Sequence, residues 1–141
     1  MTQPRRLAAQ AVAKRVCKER NWQLGGLVGY KVGLDKSNAS KDTRLMYVTT
    51  GILIKMLINK KSLAEWTHVI IDEVHERDKD IDFLLLLARK FITSNSQGVK
   101  IILMSATLNA DKLMDYFSWP VYPNGPSYSQ AAKYQIPGSL Q

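Results

Sequence analysis

The chain has 141 residues, 45% of them hydrophobic and 23% charged, the composition of an ordinary globular domain long enough to bury a core. With 20 basic residues against 12 acidic ones, its net charge of +8 favours a polyanionic partner but does not by itself establish one. A single cysteine excludes a disulfide framework and a cysteine-rich zinc site; with no apolar run of membrane-spanning length and no secretory leader, the sequence predicts a cytoplasmic protein without a membrane partner.

In chain order, PRRLAAQAVAKRVCKER (4–20) sets Leu7, Ala8, Ala11, Val12 and Val16 at helical spacing, with Pro4 suited to a first turn. GGLVGYKVGL (25–34) alternates weakly and is rich in glycine, which predicts a strand beside close backbone approaches. SNASKDT is a loop by composition. RLMYVT reads as a strand, and TGILIKMLINK as a helix with Leu53, Met56 and Leu57 turned inward. HVIIDEV is a buried strand, and DIDFLLLLARKFITS a strongly apolar helix packed on the sheet. SQG breaks the chain before a second buried strand, VKIILMSAT. NADKLMDYF is a short helix with Asn109 as its candidate cap. Beyond Trp119 lie four of the five prolines and no sustained periodicity, so residues 121–141 read as a linker or tail. Strands alternating with helices predict an α/β fold: a parallel sheet with helices on both faces.

The chemistry concentrates in VIIDEVHERD (69–78). A buried β-branched run leads into charged residues, which therefore emerge at the carboxyl edge of the sheet, where open α/β folds bind ligands. One reading is a charged turn after a strand. The other is a Walker-B-type pair, in which the first carboxylate holds Mg²⁺ and the second orients or deprotonates the attacking water. Asp72 is a hard oxygen ligand and suits Mg²⁺; Glu73 stands next to it. His75 is a surface histidine or a functional one, and zinc-type ligand spacing around it is missing.

Three further segments accompany DEVHER. TQPRRLAA opens the chain, YVTTGILIK precedes the carboxylate strand, and SAT follows it at Ser105–Thr107. With these four segments in this order and spacing, the chain resembles the first RecA-like domain of the DExH-box RNA helicases, DEAH/RHA group, from Thr2 to about Pro120. LVGYKVGLDK carries the group's VGY segment, with Gly33 where relatives usually have arginine. That departure, with AKRVCKERNWQLGGLVGY before it, looks like the Tudor-domain spindle-E type helicases of the germline Piwi-interacting RNA pathway.

The resemblance implies ATP and Mg²⁺ as cofactors, and RNA together with Piwi-pathway proteins as partners. Residues 1–120 are then a partial ATP-binding RecA-like domain. Asp72 would assist Mg²⁺, Glu73 would polarise the attacking water, and His75 would couple the nucleotide site to a second lobe. Ser105 and Thr107 would link hydrolysis to strand separation; Arg5, Arg6, Thr49 and Thr50 would touch RNA. The arginines also read as solvated charges at a helix start, and Thr49 as a helix cap. Lys55, Lys60 and Lys61 read as a solvated face.

No G-x-x-x-x-G-K-[ST] occurs in the chain, so the β- and γ-phosphates lack their principal ligands within it. The expected fold is therefore a RecA-like sheet missing its P-loop strand, in a fragment, truncated product or incomplete sequence of an ATP-dependent RNA helicase. A non-catalytic RNA-binding or scaffold module derived from a helicase is the alternative.

Overall fold

The computed structural model describes residues 1–33, 38–96, 98–106 and 110–118. Five short strands are described: β1 (Thr2–Gln3), β2 (Val28–Lys31), β3 (Leu45–Thr49), β4 (His68–Ile71) and β5 (Lys100–Leu103). All pair in parallel, in the order β2-β3-β1-β4-β5. Three helices alternate with them: α1 (Arg6–Arg20) leads from β1 to β2, α2 (Thr50–Lys60) from β3 to β4, and α3 (Lys79–Ser94) makes the crossover between the parallel neighbours β4 and β5. This is the parallel α/β sheet that the alternation of elements predicts. The helix α4 (Ala110–Ser118) belongs to a separate unit; within it the rings of Tyr116 and Phe117 meet edge to face, 5.2 Å apart. Asn109 and the expected tail at 121–141 lie outside the described residues.

The strand that organises the sheet is one that hydrophobic periodicity cannot reveal. β1 is two residues long, yet it sits between β3 and β4, with Thr2 opposite both Val48 and Ile71 and Gln3 opposite Thr49. Both of its residues are buried. The Met1 ammonium continues the pairing by donating to the Met46 carbonyl at 2.7 Å.

Helix α1 turns a different face to the sheet from the one its larger apolar residues suggest. The buried stripe is Ala9, Ala13 and Cys17, at a spacing of four. Leu7 is 78% exposed, Ala11 is exposed, and Val12 and Val16 flank the contact. Small side chains let the helix axis approach the sheet closely, so Val28, Tyr30, Val32 and Tyr47 fill the space that bulky helix residues would otherwise take. In the strand that follows, Gly29 meets the predicted close approach: a Cβ there would run into the Asn38 carbonyl. Asn38 pairs antiparallel with Tyr30 through two backbone hydrogen bonds, covering that edge of the sheet.

Helices α2 and α3 pack against each other. Leu53, Ile54 and Leu57 from α2 and Ile81, Leu84, Leu85, Ala88 and Phe91 from α3 are buried; Met56 is only partly so. Asp78 caps α3, its carboxylate accepting from the Ile81 amide at 2.7 Å, and Asp80 and Asp82 follow in the first turn. Among the described residues the far edge of the sheet is β5, which pairs there with β4 alone; Ile102 and Met104 are 41% and 38% exposed.

Candidate functional site

Strands β3, β1 and β4 are parallel neighbours, so their carboxyl ends open on the same sheet edge. Leaving that edge are Thr49 from β3, Pro4, Arg5 and Arg6 from β1, and Asp72 to His75 from β4. Segments separated by up to seventy residues in sequence are thereby gathered by the topology rather than by any local motif.

Asp72 is the first residue past β4 and is half-buried. Its Oδ2 accepts from the Gln3 side-chain amide at 2.7 Å, and its Oδ1 from the Glu73 backbone amide at 2.8 Å. The Asp72 backbone amide itself donates to the Thr2 hydroxyl at 3.3 Å. The register explains the first contact: Thr2 lies opposite Ile71, so the next pair along is Gln3 beside Asp72. Each carboxylate oxygen keeps a lone pair free of these bonds.

Glu73 turns the chain sharply. It holds a left-handed conformation, φ 57° and ψ 36°, as does Arg77 at φ 48°. Non-glycine residues adopt this region at a cost, and such strain concentrates where a side chain must be aimed. The turn brings Glu73 Oε2 to 3.3 Å from His75 Nδ1, a ring nitrogen shielded from solvent with no aligned hydrogen bond. Beyond it, the Val74 amide donates to the Met104 carbonyl at 3.1 Å, and the Met104 amide to the Ile71 carbonyl at 2.9 Å. The end of β5 thus brackets the Asp72–Glu73 turn, and half-buried Ser105 follows immediately. Thr107 lies outside the described residues.

On the other side of Gln3, Arg5 and Arg6 are exposed, and the Arg6 guanidinium rests against Gly33. Thr49 occupies the N-cap position of α2 without a side-chain capping bond; Thr50 is buried. Neither α1 nor α2 has a side-chain cap or an acidic residue in its first turn, in contrast to α3. Two helix N-termini with their amides and dipoles uncompensated at one sheet edge favour an anion there. Lys60 is engaged with Glu65 and, at 5.9 Å, with the Trp66 ring.

Motif reading found the charged residues and missed Thr2 and Gln3, the buried polar pair that holds Asp72. The available signal was two polar residues directly before Pro-Arg-Arg. Among the described residues, no three His, Cys, Asp or Glu side chains converge as a metal cage.

A family model described as DEAD/DEAH box helicase matches residues 2–116. The chain is 56% identical over 121 residues to the ATP-dependent RNA helicase TDRD9 of Rattus norvegicus, covering 86% of this chain and 9% of that protein. It is 54% identical over 121 residues to the TDRD9 protein of Homo sapiens, covering 86% and 9%. To the probable ATP-dependent RNA helicase spindle-E of Drosophila melanogaster it is 53% identical over 118 residues, covering 84% and 8%. The chain therefore spans less than a tenth of the length of these relatives.

Proposed function

The chain belongs to the DEAD/DEAH box helicase family, and from that premise we propose that it supplies the Walker-B and RNA-facing part of an ATP-dependent RNA helicase. The observation that carries the reading is the shared carboxyl edge of β3, β1 and β4, where acidic and basic groups emerge side by side from adjacent strands.

The donor set at Asp72 suits Mg²⁺. It is all oxygen, half open to solvent and far from an all-protein cage, and Mg²⁺ characteristically keeps waters and takes its remaining ligands from phosphate. Asp72 would hold the ion, with Gln3 and the Glu73 amide fixing its carboxylate. Bound Mg²⁺·ATP would supply the phosphoanhydride bond whose hydrolysis drives strand separation. Glu73, aimed by its left-handed backbone, would accept a hydrogen bond from the attacking water and draw off its proton. His75 touches the Glu73 carboxylate, so a movement at His75 reaches that base directly. Ser105, placed by Met104 beside the same turn, would report its state to β5, with Thr107 as its companion in that link.

RNA would lie across the uncapped N-termini of α1 and α2, its phosphates met by Arg5, Arg6, Thr49 and the backbone amides around Thr50. Such binding reads backbone rather than sequence. By resemblance to the spindle-E group, the setting would be the cytoplasm of germline cells and the Piwi-interacting RNA pathway. Residues 1–120 would form the domain part and 121–141 a linker. The absence of a G-x-x-x-x-G-K-[ST] from these 141 residues favours, for this piece alone, the second reading of an RNA-binding module without turnover.

The test is fluorescence anisotropy of the 141-residue chain with single-stranded oligouridylate over a salt series. Arg5→Ala with Arg6→Ala should weaken binding equally for different sequences and flatten the salt slope by about two, one per lost phosphate contact. An unchanged slope would return both arginines to solvated helix-start charges.

A further inference from the structure

We infer that Gln3 is a positioning residue that locks the Asp72 carboxylate and ties its orientation to the segment carrying Arg5 and Arg6. The inference rests on the reading of Asp72 as the Mg²⁺ carboxylate, and it gives a role to a residue of TQPRRLAA to which the sequence assigns none.

A carboxylate at the end of a strand, half open to water, has three staggered χ1 positions to choose from. Here one oxygen is held by the Gln3 amide at 2.7 Å and the other by the Glu73 amide at 2.8 Å. A hydrogen bond to an ionised acceptor is among the stronger kinds, and this one is shielded on the Gln3 side, where only 7% of that residue is exposed. A buried glutamine amide without Asp72 would be left unsatisfied, which is costly, so the contact constrains both partners.

Gln3 has little freedom of its own. Its backbone is paired with Thr49, and its neighbour Thr2 is paired with both Val48 and Ile71. The following residue is Pro4, whose ring fixes its own φ and confines the preceding residue to extended conformations. From Gln3 to Arg5 the chain is therefore a stiff link of two peptide units. A displacement of Arg5 or Arg6 by a bound phosphate moves Gln3, and Gln3 moves the Asp72 carboxylate. The same residue is in register with Thr49, so both anion-facing segments act on it.

The experiment uses isotope-labelled 141-residue chain. In the unmodified protein, a Gln3 side-chain amide proton should exchange slowly, and three-bond couplings should place Asp72 in a single χ1 rotamer. Gln3→Met, which keeps volume but loses the donor, and Gln3→Asn, which keeps the amide but falls short, should both bring the couplings to the rotamer average. Oligouridylate should shift the amides of Arg5, Arg6 and Glu73 in the unmodified chain, but those of Arg5 and Arg6 alone in the variants. Fast exchange of the Gln3 amide in the unmodified chain, or a single Asp72 rotamer in folded variants, overturns the inference. So does a Glu73 shift that survives in the variants. If oligouridylate moves neither arginine, the RNA reading of that segment fails, while the exchange and rotamer measurements still decide Gln3.

Discussion

The Arg6 guanidinium lies on the backbone of Gly33: a Cβ at position 33 would stand 2.7 Å from Arg6 Cζ and 2.9 Å from Nη2. Gly33 is left-handed as well, at φ +60°. It is thus fitted to its place twice over, by a conformation that side chains resist and by a space that another side chain already occupies.

Gly33→Ala should therefore evict the Arg6 guanidinium and cost about 1–2 kcal/mol of stability from the left-handed backbone alone. Binding of single-stranded RNA should lose about one unit of salt slope, as one phosphate contact disappears. In an Arg6→Ala background the same substitution should change the slope no further. That double-mutant cycle, read by anisotropy in a salt series beside a thermal melt, separates a loss acting through Arg6 from general loosening. A second full unit of slope lost in the double variant would contradict the pairing.

Among the described residues no strand pairs with the outer edge of β5, and two of the apolar side chains there, Ile102 and Met104, are exposed. Unprotected edges template pairing between chains. The 141-residue chain should accordingly self-associate as its concentration rises, and Ile102→Lys should suppress that association. Because Ile102 is 41% exposed, a lysine there can carry its charge to solvent, and the monomer's stability should change by no more than about 1 kcal/mol. Sedimentation velocity across a concentration series reads the first effect and chemical denaturation the second; a wild-type chain that stays monomeric would remove the premise.

Burial of the Met1 ammonium lowers its pKa from 8.0 to about 6. Between these values the unfolded chain binds more protons than the folded one, so stability should rise as pH climbs from 6 to 8. The two-unit shift corresponds to at most about 2–3 kcal/mol, fully lost below pH 6. Urea midpoints of the 141-residue chain in matched buffers measure it, and a flat profile over that window would mean that the amine is solvated.

The sheet was legible in the sequence wherever four or more residues carried a period. HVII and LMYVT announced themselves as strands, and α2 and α3 as helices; the second buried strand expected at VKIILMSAT is a strand, but β5 lies at the sheet edge and none of its four residues is fully buried. The register of the site was not legible. β1 has two residues, both polar, and its central position comes from pairing that no local pattern encodes. The face of α1 was misjudged because hydrophobic size points to Leu7 and Val12, whereas close packing on a sheet selects Ala9 and Ala13. Asp72, Glu73, Arg5 and Arg6 stood out by charge. Gln3 and Thr2, the neutral groups that hold Asp72, carried no charge to be noticed, and Gly33 stood out only as a departure from arginine, not as the seat of Arg6.

The adjacent carboxylates should separate in function within a full-length helicase, read in the rat ATP-dependent RNA helicase TDRD9 with its matching segment exchanged for this one. Glu73→Gln keeps the shape of the side chain and its place beside His75 but removes the charge that draws a proton from water. Asp72→Asn leaves Gln3 facing an amide in place of a carboxylate and weakens the oxygen site for Mg²⁺. Nucleotide should therefore stay bound in Glu73→Gln while hydrolysis slows by about 10²–10⁴-fold, the usual cost of losing a general base. Asp72→Asn should lose nucleotide as well as turnover. His75→Ala should retain nucleotide and hydrolyse it while unwinding less per ATP. Single-turnover hydrolysis, fluorescent-nucleotide binding and duplex unwinding on the three variants distinguish these outcomes. Hydrolysis at the parental rate in Glu73→Gln would reduce the Asp72–Glu73 turn to a strained, charged strand end.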